Sequence, residues 1–277
     1  MKRIVTVQDI SCLGKCSLTV ALPIISAMGV EAAIVPTAVL STHTMFSGFT
    51  FHDLTDEILP IADHWQKENL KFDAVYTGYL GSHEQIAIVE EFFDRFKTEE
   101  NLIIIDPVMA DNGKLYPAFD MAFAARMAEL CGKADIILPN ITEASFMTGM
   151  EYKEVYDEKY IKEMLHKLAA LGAKKVVLTG VGFEEGMTGV MGYDTEKDEF
   201  FHYSNKKLPK SYHGTGDVFA STFTGAVMNG FDWKEALKLA ADYTAECIRV
   251  TMEDPDGCWY GVNFEKTIPQ LVEMIKN

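Results

Sequence analysis

The feature that most limits how this chain can fold is a repeated pairing of a short, unbroken apolar run with an amphipathic stretch. The runs fall at residues 3–7, 32–37, 74–77, 102–105, 135–138 and 175–179. Most are continuous rather than alternating, as strands buried on both faces of a parallel sheet are. Between them, residues 17–28, 54–69, 84–97, 119–131 and 157–171 carry helical periodicity, with Gly29 and Gly172 placed as helix stops. Beyond Gly182 the pattern changes. Residues 187–193 and 199–204 flank the polar turn 194–198 and predict an antiparallel hairpin. Helical stretches at 213–228, 233–252 and 264–276 close the chain. The expected fold is therefore α/β, a three-layer α/β/α domain spanning 1–277, with a mostly parallel central sheet and an antiparallel edge hairpin.

Charge and cysteine content narrow the function. The chain's 41 acidic and 25 basic residues leave a net charge of −16, which argues against a non-specific duplex-DNA or anionic-membrane binder. It leaves room for a phosphorylated ligand held by backbone N–H groups. The N-terminal apolar run breaks at Gln8 and Asp9, too early for a signal peptide. The five cysteines (Cys12, Cys16, Cys131, Cys247 and Cys258) are odd in number and scattered, which suits reduced thiols in a cytoplasmic protein.

In an open α/β sheet, ligands sit beyond the carboxyl ends of the strands. Two familiar nucleotide motifs fail there. Gly14-Lys15 has Cys16 where a P-loop needs a hydroxyl, and Asp9 where it needs its first glycine. Gly180-Val181-Gly182 follows a strand but leads into a hairpin, not the helix of a dinucleotide fold. The segment His213-Gly214-Thr215-Gly216-Asp217 is more informative. Its glycines at a helix start allow successive N–H groups to converge on an anion. Asp217 in the first turn suits a general base acting on an attacking hydroxyl, and it also suits a plain helix cap. Asn140 and Glu143 open another helix, either as holders of a hydrated Mg²⁺ or as a capping box. Asp106 follows the 102–105 strand, as a site carboxylate or a turn residue. Tyr79 stands in a glycine-flanked loop, Gly78-Tyr79-Leu80-Gly81, where its ring can close over another ring.

Taken together, Val7-Gln8-Asp9, Ser41-Thr42-His43-Thr44, Gly78-Tyr79-Leu80-Gly81, Asp106-Pro107-Val108-Met109, Pro139-Asn140 with Glu143, and Gly214-Thr215-Gly216-Asp217 resemble the ribokinase-like superfamily, and within it the vitamin B6 kinases. The order and spacing of these motifs cover almost the whole chain. The resemblance implies MgATP-dependent phosphorylation of the 5′-hydroxymethyl group of pyridoxamine, pyridoxal or pyridoxine, with a monovalent cation such as K⁺ as a further candidate ion. It implies Asp217 as the base and Gly214, Thr215 and Gly216 as the anion hole. It places Asp106, Asn140, Glu143, Thr179, Gly180, His213 and Gly216 on the ATP side, with Glu143 and Asp106 toward Mg²⁺. Asp9, Thr44, Met45, Tyr79 and Asp217 fall on the B6 side. A cytoplasmic homodimer is implied, with no nucleic-acid or membrane partner. The nearest alternative is a hydroxymethylpyrimidine (phosphate) kinase of thiamine synthesis. Two positions depart from the pattern: many B6 kinases have serine at Asp9, and some have lysine at Gly180. His213 has a second reading as a plain loop histidine. Met45, Phe46, Phe49 and Phe51 form either an apolar lid or a subunit interface.

Overall fold

The computed structural model describes residues 1–276; Asn277, the last residue of the expected domain, lies outside the described residues. The chain divides into two compact units: Met1–Ala74 together with the chain from Lys207 onward, and Val75–Lys206.

The first unit opens with β1 (Arg3–Leu13), α1 (Leu18–Ala27), β2 (Glu31–Thr42), β3 (Phe51–Asp53) and α2 (Thr55–Lys67). β1 pairs in parallel with β2, and β3 adds antiparallel to residues Ala38–Leu40 of β2. The register slips between the pairs Gln8↔Pro36 and Ile10↔Val39. Pro36 cannot donate to the ladder, and a bulge is where sheets tolerate that loss. Asp9 sits in this slip. Val5, Val7, Val35, Ile24 and Ile25 are fully buried, and each such side chain contributes about 1.5–3 kcal/mol through lost water contact.

The second unit takes in β4 (Ala74–Thr77) from its second residue, then α3 (His83–Phe96), β5 (Leu102–Ile105), the two-residue strands β6 (Ala110–Asp111) and β7 (Lys114–Leu115), α4 (Met121–Cys131), β8 (Ile136–Ile137), α5 (Ile141–Thr148), α6 (Glu158–Ala169), β9 (Lys175–Val181), β10 (Met187–Asp194) and β11 (Glu199–Lys206). Its strands lie in the order β11-β10-β9-β8-β5-β4. β5, β8 and β9 pair in parallel, and β9, β10 and β11 antiparallel, so the hairpin stands at the edge as expected. Ser82, Asp120 and Asp157 each cap a helix by accepting a first-turn N–H. Below the strands, the buried Asp135 carboxylate joins Lys97 (2.6 Å), Lys174 (2.8 Å) and the Ile103 N–H (2.8 Å).

The chain then completes the first unit with α7 (Thr215–Met228), α8 (Trp233–Glu253), the short 3₁₀ turn Phe264–Lys266 and α9 (Ile268–Met274). Residues 264–276 are thus broken where one helix was expected, because Pro269 at the start of α9 cannot continue a preceding turn. β1 also runs six residues past its expected end and β2 five. Among the described residues, no helix is long and apolar enough to cross a membrane.

Candidate active site

In the first unit, α7 starts on Gly214, whose φ of 79° lies in the left-handed region. A Cβ there would come within 2.0 Å of the Lys15 carbonyl oxygen, so conformation and space both demand glycine. Gly216 differs: a Cβ built on it meets nothing within 4 Å. Its bare backbone faces open space at a helix start, where the first N–H groups have no intrahelical acceptor and the helix dipole is positive. An anion can approach closely there. The small residues of α7 serve helix packing more than sheet packing, since a Cβ at Gly225 would strike the Met28 sulfur at 2.4 Å.

Asp217 stands in this first turn. It is ringed by protein yet partly open to solvent. Burial, with a smaller push from the negative charge of Asp9, raises its carboxyl to about 7. The backbone of Ser17 offsets part of that rise. Asp9 is 4% exposed and accepts from the Ser11 hydroxyl at 2.9 Å. Burial outweighs the stabilisation that the Ser17 and Ser11 side chains give its charge, raising this carboxyl too. The Cys16 thiol lies in the same field, pushed up by burial and by the charges of Asp217 and Asp9.

The β1–α1 turn that carries Ser17 is held from the far end of the chain. Lys15 reaches the Glu265 carboxylate (2.6 Å) and the Asn263 side-chain oxygen (3.2 Å). Its Cβ leaves room only for glycine at Gly261. His43 is 2% exposed and accepts the Met45 N–H on Nδ1, so its Nε2 donates to the Tyr260 carbonyl at 2.9 Å. The His213 ring packs 4.3 Å from that of His43. Phe46 packs on Trp259 at 4.6 Å and on Tyr260 at 5.6 Å. Thr44 and Met45 are exposed beside this cluster, Met45 by 60%.

The second unit gathers a separate group of polar residues. Asn140 and Glu143 form a capping box, with the Asn140 N–H on Glu143 Oε2 at 2.8 Å and the Glu143 N–H on Asn140 Oδ1 at 2.9 Å. Glu143 Oε1 also accepts the Met109 N–H at 3.1 Å, and Asn140 Nδ2 donates to the Ala110 carbonyl at 2.8 Å. Burial and the nearby Asp106 carboxylate raise Glu143 well above the usual range. Thr179 pairs with Asn140 and donates its N–H to the Pro139 carbonyl at 3.0 Å. Gly180 has a φ of 77° and open space where a side chain would stand. Tyr79 packs on Phe119 at 5.5 Å, and Phe119 stacks on Phe123 at 3.9 Å.

The structure therefore places Asp9, Thr44, Met45, His213, Gly214, Thr215, Gly216 and Asp217 in the first unit. Tyr79, Asp106, Asn140, Glu143, Thr179 and Gly180 lie in the second. The capping-box geometry of Asn140 and Glu143 is present, and so is the close, mutually repelling carboxylate of Asp106. Sequence reasoning passed over Lys15, Ser17 and the Trp259–Tyr260 loop. Lys15 and Ser17 occupy the first βα turn, a place where α/β proteins often bind ligands, and that was the available signal.

Residues 21–258 match the family described as phosphomethylpyrimidine kinase. A Bacteroides thetaiotaomicron protein assigned as a phosphomethylpyrimidine kinase, in its crystal form with pyridoxal, is 40% identical with a TM-score of 0.92, over 98% of this chain and 95% of that one. Lactobacillus plantarum pyridoxal kinase is 29% identical with a TM-score of 0.89, over 99% and 98% of the two chains. The Bacillus subtilis hydroxymethylpyrimidine/phosphomethylpyrimidine kinase is 29% identical over 73% of this chain and 72% of its own. The fold shared with these proteins is ribokinase-like, mostly parallel with an antiparallel edge hairpin.

Proposed function

The chain belongs to the phosphomethylpyrimidine kinase family, and from that premise we propose that it uses MgATP to phosphorylate the 5′-hydroxymethyl group of pyridoxal, pyridoxamine or pyridoxine. The observation that carries the chemistry is Asp217, a carboxyl raised to about 7 in the first turn of the glycine-flanked helix. A base with that value is substantially ionised at neutral pH and still basic enough to take a hydroxyl proton. The 40% identity to a protein crystallised with pyridoxal supports the B6 ring as acceptor.

In this reading Asp217 accepts the proton of the acceptor hydroxyl as its oxygen attacks the terminal phosphorus of ATP. The backbone N–H groups at Gly214, Thr215 and Gly216 hold the transferring phosphoryl oxygens, and ADP departs with the electron pair of the broken bond. Asp9, Thr44, Met45 and Tyr79 contact the ring and its substituents. Asp106, Asn140, Glu143, Thr179 and Gly180 hold the nucleotide. His213, kept neutral by burial, offers the phosphates a ring N–H instead of a charge. The paired acids Asp106 and Glu143 fit a hydrated Mg²⁺, because a cation relieves the repulsion that raises Glu143. Bound there, Mg²⁺ supplies charge neutralisation on the phosphates. The same reading treats the chain as one kinase domain, acting as a cytoplasmic homodimer on small molecules alone.

The Bacillus subtilis relative supports a second reading, phosphorylation of hydroxymethylpyrimidine by the same chemistry. Direct assay of phosphorylated product with MgATP across the three B6 vitamers, hydroxymethylpyrimidine and ribose separates them. Turnover of the vitamers well above the pyrimidine upholds the first reading. Turnover of the pyrimidine alone replaces it with the second, and folded protein inactive on all acceptors overturns both.

A further inference from the structure

The strands β6 and β7 form a two-residue ladder of their own, turned by Asn112-Gly113 with φ values of 51° and 74°. A hairpin that small does not hold itself together in water. The first turn of α5, 29 to 34 residues further on, holds it instead. Three side chains of that turn each bond the backbone of residues 109–113. Glu143 Oε1 accepts the Met109 N–H at 3.1 Å, Asn140 Nδ2 donates to the Ala110 carbonyl at 2.8 Å, and Thr142 Oγ1 accepts the Gly113 N–H at 3.0 Å. A threonine near a helix start commonly turns its hydroxyl to local backbone. Thr142, 3% exposed, instead accepts from another element. On the other side a Cβ at Gly113 would lie 2.8 Å from the Tyr152 ring, so the hairpin tip is gripped between Thr142 and Tyr152.

The grip bears on one carboxylate. Glu143 Oε2 accepts the Asn140 N–H of its own capping box at 2.8 Å, while Oε1 takes its donor from the hairpin segment. The orientation of the carboxylate is set jointly by α5 and by the seat of the hairpin. If the tip swings away, the Met109 N–H moves with it and Glu143 keeps only its capping bond.

We propose that Thr142 is a positioning residue for the cation: by pinning the hairpin at Gly113 it keeps the Met109 N–H on Glu143 and so fixes the orientation in which that carboxylate meets Mg²⁺. This deepens the reading of Glu143 as a Mg²⁺ holder and rests on it. A carboxylate fixed in advance needs no ordering when the cation binds, so loss of the seat appears as weaker metal binding.

Thr142→Val keeps the branched shape and removes the acceptor, and Thr142→Ser restores it. Mn²⁺ alone, followed by its electron paramagnetic resonance signal in the whole protein, reads the site without turnover. Thr142→Val is expected to bind Mn²⁺ about tenfold more weakly, the worth of one buried hydrogen bond. It should need correspondingly more Mg²⁺ for half-maximal phosphorylation of whichever of pyridoxal or hydroxymethylpyrimidine is turned over, with KM for that acceptor unmoved. Thr142→Ser should return both values to wild type. An unchanged Mn²⁺ affinity and Mg²⁺ requirement in Thr142→Val, folded by circular dichroism, overturns the positioning role and leaves the hydroxyl a stabilising group alone. If Thr142→Val does not fold, Tyr152→Leu replaces it by loosening the same tip from the other side, and wild-type Mn²⁺ affinity there overturns the role equally. Glu143→Gln tests the underlying reading: if it binds Mn²⁺ as tightly as wild type, Glu143 does not hold the cation and the role of Thr142 falls with it.

Discussion

The imidazoles of His43 and His213 lie 4.3 Å apart, and only one of them has both ring nitrogens engaged by neighbouring backbone. His43 is locked between the Met45 N–H and the Tyr260 carbonyl. His213 is pressed against it, and burial, then the proximity of His43, lowers its pKa to about 4. The unfolded chain binds a proton at this position below about 6.5, whereas the folded chain does so only near 4. Stability therefore falls as pH drops from about 6.5 toward 4. His213→Asn is expected to lose less melting temperature than wild type between pH 7.5 and pH 4.5, as thermal melts will show. An equal loss in both would mean that His213 titrates normally.

Gly214 and Gly216 are two residues apart and are predicted to fail in opposite ways. Gly214→Ala meets the Lys15 carbonyl and a φ of 79°, so it should unfold at markedly lower temperature. Gly216→Ala meets no protein atom within 4 Å. Its melting temperature should match wild type, while kcat/KM falls about 10²-fold or more because the new methyl fills the space left for phosphate. A stable Gly216→Ala with full activity would show that the anion does not approach that backbone.

Asp9 stands where many B6 kinases carry serine. An acid whose ionised form is disfavoured by burial gains most from a cationic partner, so pyridoxamine should be favoured over pyridoxal by a charge-assisted hydrogen bond. Asp9→Ser should lower the pyridoxamine-to-pyridoxal ratio of kcat/KM. An unchanged ratio removes Asp9 from vitamer selection.

Asp135 serves stability. It is 5% exposed and holds two lysines and a backbone N–H, and these partners hold its carboxyl below the usual range despite burial. Asp135→Ala should cost about 2–3 kcal/mol in urea unfolding, the worth of charged hydrogen bonds lost together. A lowered carboxyl contributes above its unfolded value near 3.9 and loses that contribution as pH falls through its folded value. The gap between variant and wild type should therefore narrow below about pH 4. A gap that persists at pH 2.5 would assign the effect to packing.

The fold was legible wherever burial was uniform. The strands 74–77 and 102–105 fall where the apolar runs put them, because both faces are covered. β1 was cut short at Val7 because Gln8 and Asp9 look like a break. The strand continues because much of this polarity is met inside: Gln8 Nε2 donates to the Thr6 hydroxyl at 2.9 Å, and Asp9 accepts from the Ser11 hydroxyl at 2.9 Å. The apolar criterion fails where a strand carries chemistry. Two errors were avoidable. Pro269 announces the broken terminal helix, and Asn112-Gly113, with φ of 51° and 74°, is a strong hairpin signal that joins β6 to β7. The glycine-flanked Asp217 helix and the Asn140–Glu143 capping box were readable as local motifs. Ser17 was not, since nothing in a lone serine reports a left-handed backbone.

The tie between Lys15 and Glu265 sets an order of events during synthesis. Its partners are 250 residues apart, and the unit they join is built from both ends of the chain. A nascent chain emerging from the ribosome acquires β1, Asp9 and the turn at once. The whole of Val75–Lys206, which is continuous in sequence, is made before Asp217 exists. Glu265 follows later still. Until then the turn lacks the tie from Lys15 to Glu265. Loop closure over so long a separation slows assembly more than it weakens the finished protein. The unit that carries Asp217 is consequently the last part of the molecule to mature, and truncation by a dozen or so residues from its C-terminus should leave most of the secondary structure intact while removing the anchor on Lys15.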